Sequence, residues 1–539
     1  MTTSTILLSI LLIGVGIVVI LPLALFIYLY IKDDRQQQHA ILRNFPVLGK
    51  IRYVSEKVGP EFRQYLFNND NEGKPFSRKE FENIVKSGKY KERIIGFGSL
   101  RDFQADGFYI RNTLFPKLSE EMNIDHEPKV HSKVYEVDGE NLFARKEHRK
   151  KVEVSPYYLK DEDAIILGDA TCRHPFVVKG MIGQSGMSYG ALGENAILAL
   201  SHGLALAGGT WMNTGEGGLS QEHLDGGGDL IMQIGPGLFG VRDKEGNFSW
   251  EEFKKKSDLP EVKAFELKLG QGAKTRGGHV EGNKVTKKIA EIRMVEPGVT
   301  INSPNRFKDF NDVPSLFQFI EKLREVSGKP IGMKIVVGDV DALETMVRYM
   351  KESNTGPDFI TIDGGEGGTG ATYQELADSV GFPIHAALPI IDELLKTYGI
   401  RHRVKLIASG KLASPDHIAI ALAMGADLIN IARGFMINVG CIMAQVCHTN
   451  QCPVGVATTD PKLQKGLSIE EKKYRVCNYV LSLREGLFNL AAAAGIDSPT
   501  KFSHEHIAFK DRYGRIYSLN DLVHAAKQPM NDVTYSPTN

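Results

Sequence analysis

Residues 330–371 read PIGMKIVVGDVDALETMVRYMKESNTGPDFITIDGGEGGTGA. A near-continuous apolar run, PIGMKIVVG, is followed by DALETMVRYMKESN, in which apolar residues recur at three and four, and then by a second apolar run, DFITIDGG, that ends in glycines. The outer pieces have the texture of buried strands and the middle one the period of an amphipathic helix, so the stretch predicts strand, helix, strand. The same alternation extends in both directions. The apolar runs are FVVKGMIG, GTWMNTG, DLIMQIG, AFELKLG, PIGMKIVVG, DFITIDGG, VKLIASG and DLINIARG, and ENAILALSHGLALAG, PSLFQFIEKLREVSG and PDHIAIALAMG supply further helices. Eight such strands with intervening helices over roughly 270 residues predict an α/β fold, a TIM (β/α)8 barrel, whose usual size is about 250 residues. An open doubly wound sheet is the competitor, but its GxGxxG fingerprint after a first strand, with an acidic residue about 20 positions on, is not evident.

Outward from the barrel, the most distinctive segment is Ile6–Ile31, ILLSILLIGVGIVVILPLALFIYLYI, which carries no charge. It is long enough to cross a hydrocarbon core that needs roughly 20 residues. A cleaved signal peptide would need a basic start, an apolar run of about 7–15 residues and a small-residue cleavage site, and none is present. Lys32, Arg35, Arg43 and Lys50 follow the segment, against Asp33 and Asp34, while Met1–Thr5 has no charged side chain. The positive-inside rule therefore predicts a single-pass membrane protein with its catalytic part in the cytoplasm. The expected organisation is a transmembrane anchor over 1–31, a small N-terminal cap region over 32–170, the barrel over 171–460, and a helix (Ser468–Gly495) with a polar tail over 461–539. The cap region shows a helical stretch near Phe76–Ser87 and a strand-like run, KVHSKVYEV.

Composition excludes several classes. The 539 residues are 42% hydrophobic and 24% charged, too mixed for a disordered or fibrous chain. Lys plus Arg number 65 and Asp plus Glu 65, so the basic excess of a nucleic-acid binder is missing and no nucleic-acid partner is expected. Five cysteines, an odd count, do not suit a secreted disulfide framework.

In a TIM barrel the active site lies at the C-terminal ends of the strands. After the seventh run come Ser409, Gly410 and Lys411, and after the eighth Ala432, Arg433 and Gly434, where barrels commonly cradle a phosphate with backbone N–H groups. GGEGGTGA, Gly364–Ala371, adds a third glycine-rich loop. Any one of these is explained by a tight turn; three at neighbouring positions imply a phosphorylated cofactor. Lys334 lies inside an apolar run, and either faces a partner such as the electron-rich edge of a flavin or snorkels at the strand end. Lys268, Lys274 and Arg293 form either a cationic pocket for a dicarboxylate or a solvated charge cluster. Cys441, Cys447 and Cys452 fall within twelve residues. Their spacing matches neither paired CxxC units nor a thioredoxin-like site, and three thiolates suit an iron–sulfur cluster better than three buried, unliganded cysteines. Cys172 and Cys477 read as ordinary buried residues.

CIMAQVCHTNQCPVGVAT, MSYGALGENA, NTGEGG, QGAK and GGTGA occur here in the order found in glutamate synthase. The chain resembles the FMN-binding synthase domain of that enzyme, and more closely the shorter stand-alone FMN-binding glutamate synthase family, strongly over Pro175–Lys462 and loosely in the cap. The resemblance implies FMN, a 3Fe-4S cluster, and reductive amination of 2-oxoglutarate by ammonia to glutamate. It implies Cys441, Cys447 and Cys452 as cluster ligands, Met187, Ser188, Asn213 and Lys334 around the flavin ring, and Gly368, Thr369, Gly370, Gly410, Lys411, Arg433 and Gly434 nearer the ribityl phosphate. Glu216, Lys268, Lys274 and Arg293 match family positions that face 2-oxoglutarate. Electrons would come from a ferredoxin, a reductase subunit or a membrane donor.

The departures from the family bear on substrate. The chain opens on the apolar segment and has no cysteine before Cys172, so no glutaminase domain and no glutamine hydrolysis are expected. After QGAK the sequence is TRGGH, one residue shorter than the family pattern, with His279 where a substrate-facing glutamine is expected; Leu238 replaces an arginine. Two alternatives follow: the same cofactors acting on another amino or 2-oxo acid, as in an N-methylglutamate-type synthase, or a membrane-tethered electron-transfer subunit.

Overall fold

A computed structural model of the chain describes residues 3–140, 145–275 and 278–521. Arg276 and Gly277 of the TRGGH stretch, and the polar tail beyond Asp521, lie outside the described residues. Contacts divide the chain into two units, residues 1–81 and 82–539.

In the first unit a helix runs over Thr3–Val15, passes through a π turn at Gly16–Ile20 and resumes over Leu21–Arg35. The π turn ends two residues before Pro22, whose nitrogen cannot donate a hydrogen bond and whose ring crowds the carbonyl one turn back, so the wider turn relieves the clash. Ser4–Arg35 is thereby a helix of 32 residues, long and apolar enough to cross a membrane, with none of its most apolar window buried by protein. At its end the buried Asp33 accepts from the Val47 N–H at 3.0 Å and pairs with Lys50 at 2.5 Å, which folds the following chain back on the helix terminus.

The second unit contains the barrel. Its strands are β1 (Ile182–Gln184), β2 (Trp211–Asn213), β3 (Asp229–Ile234), β4 (Val262–Lys268), β5 (Ile331–Ile335), β6 (Phe359–Asp363), β7 (Lys405–Ser409) and β8 (Leu428–Ile431). They pair in parallel in chain order, and β8 closes on β1 with Ile429 opposite Ile182. This is the TIM barrel that the eight runs predict. One run divides: only the end of FVVKGMIG joins the barrel, in the strand Ile182–Gln184, while Phe176–Val178 pairs antiparallel with Ile165–Leu167. The strand-like run of the cap is one arm of a long hairpin, Val130–Glu140 with Arg145–Val154. Helices Glu194–Ala207, Val313–Ser327, Val340–Ser353 and Pro415–Ala423 follow their strands as the periodicity indicates.

The strands alternate small and large residues to fill the interior. At Gly183 a Cβ would stand 2.1 Å from the Trp211 ring, and at Gly332 one would stand 2.2 Å from that of Phe359. The Trp211 indole thereby fits beside β1 and donates to Asn430 on β8 at 3.1 Å.

Helix Ile469–Ala493 packs along Glu194–Ala207. Its Arg484 is fully buried and donates to the carbonyls of Pro156, Gly180, Ala207 and Gly208, so one guanidinium ties the helix to the foot of the barrel. Cys477 on the same helix is buried, whereas Cys172 is half-buried with its Sγ 3.7 Å from Asp358. The start of the polar tail is structured: Ile507–Lys510 pairs antiparallel with Gly107–Ile110 on one side and Ile516–Ser518 on the other.

Candidate active site

Two buried charge clusters occupy the C-terminal end of the barrel. In the first, Lys268 at the end of β4 and Lys274 in the loop beyond it donate to the same oxygen, Glu216 Oε1, at 2.7 and 3.0 Å. Gly235 makes room for that carboxylate, since a Cβ there would lie 2.6 Å from Glu216 Oε2. Burial alone would raise the Glu216 carboxyl, but the two ammonium groups outweigh it and hold the group well below the usual carboxylate range. Burial lowers the Lys268 ammonium to about 8 against the opposing pull of Glu216, with Lys274 and Lys334 adding to the lowering. Arg293 ends the short helix Lys287–Arg293, whose start is capped by Thr286 accepting from the Ile289 N–H. It is 3% exposed, donates to the Tyr189 carbonyl at 3.4 Å, and faces the Phe239 ring at 5.2 Å. Its Nε is buried with no hydrogen-bond partner. The four groups bring three cations to one carboxylate, an imbalance of two positive charges that matches a dianionic ligand.

The second cluster centres on Lys334 of β5. Its ammonium is buried, 3.3 Å from Asp363 Oδ2 and 3.4 Å from Ser185 Oγ, so it turns into the barrel and does not snorkel. Asp363 also accepts from the Gly272 N–H at 2.8 Å, which holds the loop after β4 against the loop after β6. Beside it the buried Glu266 accepts from Asn213 (2.9 Å), Gln233 (2.6 Å) and Thr361 (2.5 Å), three neutral donors on three different strands. Met187 is buried and its N–H donates to the Asn213 carbonyl, while Ser188 is half-buried on the same loop. Gly215, at φ +66°, lets the loop after β2 press on this one: a Cβ there would stand 2.7 Å from the Ser188 N.

The glycine-rich loops gather around Arg433. Its Nη2 donates to the Glu366 carbonyl at 2.5 Å, and a Cβ on Gly368 would collide with its Cδ at 2.8 Å. Gln271 donates to the Gly368 carbonyl at 2.7 Å, Thr369 to that of Ala371 at 3.4 Å, and Gly370 faces open space. Gly410 (φ +145°) and Lys411 (φ +55°) turn the chain sharply after β7. Gly434 has a packing reason of its own, because a Cβ there would stand 2.5 Å from the Tyr479 hydroxyl.

Cys441, Cys447 and Cys452 follow the helix Arg433–Val439. Met443 and Gln445 adopt left-handed backbone (φ +58° and +57°), and the Met443 N–H donates to Cys441 Sγ at 3.4 Å. Burial, then the neighbouring Cys447 and Cys452, push the Cys441 thiol up to about 11; burial and Cys452 also raise Cys447. Among the described residues no three His, Cys, Asp or Glu side chains are placed to hold a single metal ion. The buried Lys284 donates to the Cys447 carbonyl at 2.8 Å.

Sequence reasoning missed Gln233, Glu266, Thr361, Asp363 and Lys284. The first four sit inside the apolar runs that define β3, β4 and β6, and a polar residue within such a run is the same signal that marks Lys334. Of the departures, Leu238 is buried, and His279 turns to Asn302 and Glu281, both at 2.8 Å. Glu281, with Asn302 adding, holds the imidazole above its usual value.

A family model described as a conserved region in glutamate synthase matches residues 119–497. The chain is 62% identical over 494 residues to the glutamate synthase large subunit-like protein YerD of Bacillus subtilis (strain 168), covering 92% of this chain and 94% of that one. It is 33% identical to an archaeal-type glutamate synthase (NADPH) of Thermotoga sp. (strain RQ2) and 35% identical to an archaeal glutamate synthase (NADPH) of Methanocaldococcus jannaschii, spanning 66% and 58% of their lengths. With the matched region covering most of the barrel unit and both charge clusters, the chain belongs to the glutamate synthase family, as an oxidoreductase that acts on the CH-NH2 group of donors.

Proposed function

We propose that this chain carries out the reductive amination of 2-oxoglutarate, or a close relative, by ammonia, using FMN and a 3Fe-4S cluster. The observation that carries the reading is the pairing of Lys268 and Lys274 with Glu216, with Arg293 close enough for that carboxylate to act on its charge, an assembly with two surplus positive charges for the two carboxylates of the substrate. FMN, when bound, supplies the reducing equivalents for the substrate carbon, and the cluster relays single electrons from the donor. Lys334, Asn213 and Gln233 fit the polar edge of a flavin. Lys411 and Arg433, with the glycine loops of 364–371 and 410, fit its phosphate. Cys441, Cys447 and Cys452, three thiols on one loop close enough to raise one another's pKa, fit an iron–sulfur cluster by the number and softness of their sulfurs.

The chain's own residues have definable tasks. Lys274 and Arg293 hold the carboxylates and fix the carbonyl carbon in place. Condensation with ammonia expels water, which requires a proton on the departing oxygen. Lys268 Nζ, near 8, is matched to donate that proton close to neutral pH. Glu216 stays ionised and orients the Lys268 ammonium. Electrons arrive from a ferredoxin, a reductase subunit or a membrane donor. The helix Ser4–Arg35 is the membrane anchor, with Lys32, Arg35, Arg43 and Lys50 placing the barrel on the cytoplasmic side.

The test is anaerobic reduction of the purified protein, then addition of 2-oxoglutarate with ammonium, following flavin reoxidation and glutamate formation. A second reading, the same chemistry on another oxo acid or with an alkylamine, is favoured by Leu238 and by His279, which is engaged with Glu281 and Asn302. Reoxidation only by a different oxo acid or amine would select it. Reoxidation by none would leave an electron-transfer subunit and defeat both.

A further inference from the structure

Lys284 has no place in the chemistry above. It closes the turn Gly282–Lys284, two residues before the cap of the helix that carries Arg293. The turn is held from behind: the Gly282 N–H donates to Thr300 Oγ1 at 3.0 Å, and the Gly298 N–H to the Val285 carbonyl at 2.9 Å. A Cβ on Gly282 would meet the Gly298 carbonyl at 2.5 Å, so the backbones are in direct contact. This anchoring directs the Lys284 side chain to the cysteine loop, where its ammonium donates to the Cys447 carbonyl at 2.8 Å. The residue is 5% exposed. Among the described residues no carboxylate pairs with it, and the ionisable groups close enough to act on its charge are Cys447, Cys452 and Arg293. A buried ammonium facing a second cation and two thiols lacks its counter-charge, and a desolvated lysine keeps its proton near neutral pH most readily where an anion offsets it.

We infer that Lys284 is the counter-ion of an anionic iron–sulfur cluster on Cys441, Cys447 and Cys452, and a positioning residue that favours the cluster's reduced form. The inference rests on the cluster assignment above. When one electron enters from a donor, no bond forms or breaks and the cluster's charge falls by one. A fixed positive charge stabilises the more negative form more, so its removal shifts the equilibrium towards the oxidised cluster.

Lys284→Gln keeps an N–H donor for the Cys447 carbonyl and removes the charge; Lys284→Arg keeps the charge. The full chain and both variants are assayed for iron, for flavin absorbance, and by paramagnetic resonance during titration with redox mediators. The expected result is full flavin in all three, with the reduced-to-oxidised cluster ratio at a fixed potential about tenfold lower in Lys284→Gln, a shift of about 59 mV for one electron, and near the parent value in Lys284→Arg. Flavin-loaded Lys284→Gln that has lost its iron, beside Lys284→Arg that keeps it, would also support the role. An unchanged ratio in Lys284→Gln, an equal defect in both variants, or loss of flavin in Lys284→Gln would overturn it. Iron-free parent protein would overturn the cluster reading and this inference together, which separates that failure from one seen with iron present.

Discussion

Replacing Lys268 with Met keeps a side chain of similar length at the end of β4 but removes one of the three cations around Glu216. Lys274 is then left alone on the carboxylate at 3.0 Å. In the proposed reaction Lys268 reaches the oxo oxygen of the substrate, and a hydrogen bond to or from a charged group contributes about 1.5–3 kcal/mol, so affinity for the oxo acid should fall roughly 10- to 150-fold. The pH dependence supplies a second, independent signature. Burial brings the Lys268 ammonium to about 8, and an oxo-acid dianion binds the protonated form. Affinity is therefore complete below that pH and declines as pH rises through it, by about tenfold per unit at the limit. Linkage requires the bound dianion to raise the Lys268 value in turn. Binding is read from perturbation of the oxidised flavin spectrum during titration with 2-oxoglutarate without ammonia, at several pH values on either side of 8, with flavin content as the control for folding. Unchanged affinity in the variant, or an inflection near pH 8 that persists without Lys268, would refute the assignment.

Cys447→Ser should lower iron content from about three per chain and change the visible spectrum, because serine is a harder and weaker ligand; iron analysis showing no loss would remove Cys447 from the ligand set. Deleting residues 1–32 should move the protein from the membrane pellet to the supernatant with flavin retained, and should cut activity with native membranes while sparing activity with an artificial donor. Protease added outside intact cells should leave the barrel uncut, and cleavage there would reverse the orientation. Gly183→Ala forces a methyl to within 2.1 Å of the Trp211 ring, and such overpacking costs about 1–3 kcal/mol; a thermal midpoint equal to that of the parent would show that the indole can move aside.

The barrel is legible in the sequence because each strand is buried on both faces and each helix on one, so hydrophobic period and length together distinguish them. Where the reading fails, the cause is non-local. Phe176–Val178 is as apolar as a barrel strand, and only its partner Ile165–Leu167 assigns it elsewhere. Ile507–Lys510 looks like tail because its partner lies at Gly107–Ile110. The site divides in the same way. Lys334 stands out as a charge in an apolar run, whereas Glu266 acquires meaning only from Asn213, Gln233 and Thr361 on other strands. Lys284 lies in a glycine- and lysine-containing loop that carries no sequence signal, and its burial depends on a cysteine loop far along the chain.

The pairing of Gly107–Ile110 with Ile507–Lys510 also sets a timetable for biogenesis. At 5–20 residues per second, roughly 400 residues of synthesis separate the two strands by about 20–80 s. The barrel has its own wait, since Ile182–Gln184 emerges early and finds Leu428–Ile431 only much later. During that interval the ribosome holds a chain whose apolar strands have no closing partners, while the N-terminal helix is already outside the exit tunnel. The helix is thus exposed well before the catalytic unit is complete, and the apolar strands cannot close into a barrel until the last hundred or so residues are being made.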